Sequence, residues 1–145
     1  MKEAMKEIIE FIKRTPKAEL HLHIEGTLEP DHLFKLAKKN NVIIPFSSIA
    51  EIKLAYNFKN LESFLKIYYQ GSKVLITEQD FFDLTWAYVL KCKENNIVHA
   101  EVFFDPQTHV NRGVNFDTVI NGIYLALQKA EKEINLTSKI IMCFL

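Results

Sequence analysis

Residues 2–14 mix Lys and Glu with Met5, Ile8, Ile9 and Ile12 at helical spacing and stop at Thr15-Pro16, which predicts a leading amphipathic helix. Lys17 to His23 changes to a two-residue period, the mark of a strand. Strict alternation places Leu20, Leu22 and Ile24 on one face and Glu19, His21 and His23 on the other. Pro30 suits the first position of a helix with Leu33, Phe34, Leu36 and Ala37 as its apolar side and Asn40-Asn41 as its stop. A loop is expected from there to about Asn57. Asn60 then caps a helix carrying Leu61, Phe64, Leu65 and Tyr68, with Gly71 near its end.

Thr77 and Asp80 have capping-box spacing, although Asp is shorter than the preferred Glu or Gln, and open a long helix to about Asn95. Phe81, Leu84, Trp86, Tyr88, Val89 and Leu90 take up much of its circumference, so both of its sides are expected to be covered, with Trp86 in the core. "IVHAEVFF", residues 97–104, is a second strand, closed by Asp105-Pro106. Asn115 caps a helix over residues 116–133, and residues 138–145 form a third apolar strand. This order of strands and helices predicts an α/β fold built on a parallel sheet, without internal repeats or linkers. Parallel sheets are normally covered on all sides, and three strands leave two edges unpaired. The residues therefore read as part of a larger fold.

Composition narrows the function classes. A length of 145 residues and 48% apolar content suit one globular unit with a buried core. Lys+Arg and Asp+Glu both number 18, so no basic surplus exists to track a phosphate backbone or an anionic membrane, and nucleic acid is not the expected partner. Apolar runs fall well short of the about 20 residues of a membrane helix. Cys92 and Cys143, without a signal peptide, read as reduced thiols of a cytoplasmic protein.

The chemistry concentrates in "PKAELHLHIEGTLEP", residues 16–30. Residues i and i+2 of a strand point to the same side, so His21 and His23 present two imidazoles within reach of one ion. Histidine pairs of this spacing also occur as solvent-facing or internally satisfied residues. Three details favour metal binding. The pair ends a first parallel strand, where the active sites of such folds collect; Glu25 continues the two-residue spacing; and Gly26 permits a sharp turn.

With those residues in view, the stretch resembles the N-terminal signature of the adenosine and adenine deaminase family, metal-dependent (β/α)₈ barrels of the amidohydrolase type. "FLKIYYQG" resembles the family's pocket-covering helix, and "HAEVFFDPQTH" its second strand with the following loop. The resemblance covers essentially the whole chain. It implies that His21 and His23 are the first two zinc ligands and that Zn2+ is the cofactor; the expected contacts of a small-molecule purine are Glu25, Gly26, Phe64, Tyr68, Asp105 and Gln107, the last two because they lie just beyond a strand's C-terminal end. Where nucleoside-specific members carry Asp two residues beyond the second histidine, this sequence has Glu25, which with "EGTLEP" and "FFDPQTH" brings it nearer to the adenine deaminase branch. One extra methylene could fill space that a ribose needs, or the side chain could fold back onto local donors. The family's remaining ligands and its proton donor find no match in residues 1–145, nor do His32, His99 and His109 replace them. The resemblance thus implies an incomplete N-terminal portion of one barrel domain, about three parallel strands with outer helices, and no catalytic acid within it.

Some residues keep two readings. Phe64, Leu65 and Tyr68 fit either a purine cover or a packed helix face, and Asp105 either meets ligand or shapes the turn at Pro106. The expected activity is zinc-dependent hydrolysis of adenine to hypoxanthine and ammonia; deamination of adenosine to inosine is the alternative. A metal-dependent phosphoesterase would want more phosphate-binding groups than Glu25 and Glu29 offer, and a non-catalytic metal-binding or interaction module is the reading of another class. Oligomeric state is not legible in the sequence.

Overall fold

The computed structural model describes residues 2–144. Three strands, β1 (Lys17–His23), β2 (Ile97–Phe104) and β3 (Thr137–Met142), form one sheet in the order β1-β2-β3. Both pairings are parallel. The third strand ends at Met142, earlier than the sequence predicts, and the Cys143 N–H beyond it donates to the Phe104 carbonyl at 3.0 Å; Leu145 lies outside the described residues.

Seven helices connect or flank the strands: α1 (Lys2–Arg14), α2 (Pro30–Lys39), α3 (Ile49–Ala55), α4 (Leu61–Ser72), α5 (Glu78–Glu94), α6 (Pro106–Val110) and α7 (Phe116–Ile134). Two of them correct the sequence reading. The expected loop before Asn57 contains α3, capped by the Ser48 hydroxyl, which accepts the Glu51 N–H. The chain after Asp105 forms α6 with Pro106 at its start, where a missing N–H costs no helical hydrogen bond. The stops of α2, α5 and α7 share one device: Asn41, Asn96 and Asn135 have φ of 52°, 55° and 55°, the left-handed region that Asn tolerates better than most residues.

Helices α5 and α7 pack together over one face of the sheet. The contact is close because α7 presents Gly122 to the start of α5; a Cβ there would lie 2.7 Å from Phe81 Cβ and collide with the Glu78 carbonyl. Ala100, Val102 and Phe104 of β2 face these helices and are at most 1% exposed. Not all of α5 is covered. Leu90 is exposed, and Trp86, expected in the core, is half-buried under the Lys129 ammonium, 4.2 Å from its ring centre.

Strict alternation fails in β1. Glu19 pairs with Ala100 and Leu22 with Val102, so Leu20 and His21 together stand opposite the single residue Glu101, a β-bulge. The bulge reverses the phase of the strand. Glu19 therefore joins the helix side, where it accepts a hydrogen bond from the Tyr88 hydroxyl at 2.9 Å, and Leu20 is left exposed rather than grouped with Leu22. His21 and His23 remain together on the opposite side, against Phe103.

Asp80 ties α2 to the start of α5. It is fully buried, accepts the N–H groups of Ile76 and Thr77 and the Asn40 amide, and pairs with the Lys39 ammonium at 2.6 Å. Burial alone would raise its carboxyl, but the bonds from Lys39, Thr77, Ile76 and Asn40 outweigh it and hold the group down at about 2, below the ordinary 3.8. A depressed folded-state value gives stability that is complete above pH 3.8 and disappears as pH falls through about 2. Urea unfolding at neutral and acidic pH should show this loss, and Asp80→Asn should reduce it while costing about 2 kcal/mol near pH 7. A mutant as stable as the parent at neutral pH would rule out this role.

Candidate functional site

The strand carrying the histidines leads directly into a short 3-10 turn, Ile24–Thr27, which buries Ile24 and Glu25. The turn does not need a glycine conformation: only Gly113 among the glycines has positive φ, so Gly26 has an ordinary backbone. Its value is space instead. Gly26 is exposed at a cleft of about 420 Å³ that also contacts His21, His23, Phe64, Tyr68 and Asp105. An adjoining cavity of about 90 Å³ extends past Glu25 and Gly26 toward Tyr56 and Phe58.

The imidazole centres of His21 and His23 are 5.7 Å apart. Phe103 from β2 supports both rings, with centre distances of 4.5 and 5.5 Å. At a zinc–nitrogen distance of about 2.0–2.1 Å, two imidazoles on one ion have centres at most about 6 Å apart, so the observed spacing fits. Among the described residues the group of three donors that converges is His23, Asp105 and Cys143, with ligand atoms within 4.8 Å of one another; it does not include His21.

Asp105 opens α6 without capping it through its side chain. Its Oδ1 lies 3.2 Å from His23 Nδ1, and its Oδ2 accepts the Tyr68 hydroxyl at 2.6 Å. A carboxylate accepting from Nδ1 places the ring proton there and leaves the Nε2 lone pair available to an ion. The turn-forming reading of Asp105 is thereby joined to a second use of the same residue. Cys143 lies close enough for burial and the Asp105 carboxylate to push its thiol up.

Tyr68 comes from α4, whose capping box at Asn60 and Ser63 fixes its start. Besides Asp105, its hydroxyl reaches Glu25 Oε2 at 3.2 Å. Burial first, then the Glu25 and Asp105 carboxylates, push the Tyr68 phenol far above the ordinary tyrosine value, so it stays a hydrogen-bond donor. Tyr56, whose hydroxyl donates to the Leu28 carbonyl at 2.6 Å, is pushed up to about 12 by burial and Glu29.

Glu25 is 3% exposed and folds back onto local donors, the second of the two readings open in the sequence. Its Oε1 accepts the Asp105 N–H at 2.9 Å and lies 3.0 Å from His109 Nε2. Phe64 places its ring 5.8 Å from that of Tyr68 and 5.1 Å from Phe58, on the wall of both cavities. The structure thus gathers His21, His23, Gly26, Phe64, Tyr68 and Asp105 at one cleft, with Glu25 hydrogen-bonded behind it, whereas Gln107, expected to meet the purine, is half-buried in α6 and lines neither cavity. His109, set aside by sequence reasoning for want of a motif, joins them. Pro106 at the start of α6 is the signal that could have found it, because a helix there turns residue 109 back toward the sheet.

The sequence profile described as adenosine deaminase matches residues 16–145. An adenine deaminase of Wolinella succinogenes is 61% identical over 136 residues, which are 94% of this chain and 41% of that protein. The crystal structure of adenine deaminase from Arthrobacter aurescens matches with a TM-score of 0.83 and 44% identity, over 86% of this chain and 38% of that one. An amidohydrolase from Burkholderia ambifaria, solved with bound Zn, is 21% identical with a TM-score of 0.77, over 92% of this chain and 36% of its own, which shows the shared fold. The chain spans about two fifths of the length of the curated relatives it matches. Its three parallel strands with outer helices are the N-terminal part of a (β/α)₈ barrel.

Proposed function

Because the chain belongs to the adenosine deaminase family, we propose that the protein containing it hydrolyses the exocyclic amine of adenine, giving hypoxanthine and ammonia, with zinc held in part by His21 and His23. The observation that carries this reading is the convergence of the histidine pair with the Tyr68–Glu25–Asp105 network on one cleft. When bound, zinc supplies an activated water at neutral pH.

The chain's own residues prepare the rest. Asp105 orients His23 through Nδ1, and Phe103 holds both imidazoles against the sheet. Phe64 and Tyr68 give a planar base an aromatic wall, while Gly26 leaves room for it to approach. Tyr68 supplies a polar atom at the floor, and the Glu25 side chain, buried behind it, holds the Asp105 N–H in place. A small-molecule purine is the partner this arrangement fits. The two cysteines are free, and among the described residues no helix is long and apolar enough to cross a membrane. Free thiols suit a reducing, cytoplasmic setting, which forms part of the proposal.

The test is a chimera in which this chain replaces the matching 136 residues of the Wolinella succinogenes enzyme. It should release ammonia from adenine in a zinc-dependent manner, with kcat/KM for adenine at least about 10²-fold above that for adenosine. Loss of activity, with the unaltered Wolinella enzyme active alongside, counts against the assignment, and so does a preference for adenosine.

A further inference from the structure

Of the five histidines, His109 alone is fully buried, at 0% exposure. It stands behind the cleft rather than on its wall, and its ring meets Phe81 edge-on at 4.8 Å. Two polar contacts define its proton. Arg112 Nη2 lies 2.8 Å from Nδ1, and Glu25 Oε1 lies 3.0 Å from Nε2. A carboxylate can only accept, so the ring proton belongs on Nε2 and is donated to Glu25 Oε1, which leaves the Nδ1 lone pair toward the donor-only guanidinium.

Arg112 is itself fixed. Its guanidinium donates to the backbone carbonyls of Ser72, Lys73 and Leu75, at and beyond the end of α4, where helix carbonyls lack partners of their own. Its orientation is therefore imposed by the same helix that delivers Tyr68. Nη2 has two N–H groups for three acceptors, the Ser72 and Leu75 carbonyls and His109 Nδ1, so its contact with the ring is shared, while the bond to Glu25 runs from His109. The Asp105 N–H supplies a second donor to the same Glu25 oxygen. Oε2 lies 3.2 Å from the Tyr68 oxygen, whose one proton goes to Asp105 Oδ2 at 2.6 Å.

We propose that His109, beside Arg112, is a positioning residue that fixes the Glu25 carboxylate and, through the Asp105 N–H that Glu25 accepts, the Asp105 side chain that takes the Tyr68 proton, so that the cleft floor selects the free purine base. This rests on the adenine deaminase reading. His109 acts through Glu25 and touches no substrate.

The experiment uses the chimera with His109→Leu, which removes both nitrogens, and His109→Gln, whose amide keeps a donor for Glu25 and an acceptor for Arg112. His109→Leu should lower kcat/KM for adenine by about 10- to 100-fold and bring down the adenine-to-adenosine ratio, and His109→Gln should restore most of both. Equal losses for both substrates, or identical behaviour of the two variants, would show that His109 only supports the fold and overturn the proposal. A ¹⁵N spectrum of the unmodified chimera gives a second measurement that needs no variant to fold. The proton should be on His109 Nε2, and a proton on Nδ1 overturns the proposal. Failure of the underlying reading would appear separately, as an unmodified chimera with the expected tautomer but no adenine turnover.

Discussion

Replacing His21 or His23 with alanine in the chimera is expected to lower kcat/KM for adenine by on the order of 10³-fold or more, with loss of bound zinc and little loss of stability. The two effects separate because of where the rings lie. Both lie on the side of the sheet away from α5 and α7, His21 exposed and the His23 side chain 36% exposed in this chain, and both rest on Phe103 outside its apolar cluster. Truncating them removes stacking contacts but creates no cavity among the residues that support the fold, such as Ala100, Val102 and Phe104. Metal analysis, thermal melting and steady-state kinetics on the same preparations give the comparison. Either variant retaining zinc and parental activity would dismiss the histidine pair as the metal site. A large drop in melting temperature would instead make it structural.

The parts of the fold set by local chemistry were legible in the sequence. The Thr77–Asp80 spacing gave the start of α5, and the side chains do bond reciprocally there. Pro30 opened α2, and the Asn residues after α2 and α5 marked their ends, because αL geometry selects them. The short helix α3 carried a usable signal in Ser48 and Glu51, but seven residues give too little periodicity to stand out from a loop. What depends on pairing was not legible. The bulge opposite Glu101 arises from the register between β1 and β2, so no reading of β1 alone could divide Glu19 from the histidines. The same holds at the site. His21, His23 and Glu25 were visible as a local pattern, whereas the contacts joining Glu25 to His109 and Asp105 cross 84 and 80 positions of chain. Only the packing of α4 and α6 around the 3-10 turn brings them together.

That packing also defines what Glu25 contributes beyond a shorter carboxylate. Its two oxygens reach the Asp105 N–H at 2.9 Å, His109 at 3.0 Å and Tyr68 at 3.2 Å. In Glu25→Asp the carboxylate withdraws by about 1.5 Å, one carbon–carbon bond, which is enough to break contacts of this length. The Tyr68 proton stays on Asp105, and space of about one methylene opens where Glu25 borders the small cavity beside Gly26. Adenine should lose and adenosine should gain relative to it, by roughly 1–3 kcal/mol in transition-state terms, the usual worth of one methylene in a pocket. The quantity to measure is the ratio of kcat/KM for the two substrates, in the parental chimera and in Glu25→Asp. This choice matters because shortening a buried carboxylate also weakens the fold, and any loss of folded protein scales both rates equally and cancels. Glu25→Gln serves as the length-preserving comparison: it keeps the reach but turns one acceptor into a donor facing donors, so activity should fall without opening space for a ribose. An unchanged ratio in Glu25→Asp would remove Glu25 from specificity, and a ratio shifted equally by Glu25→Gln would assign the effect to charge rather than to length.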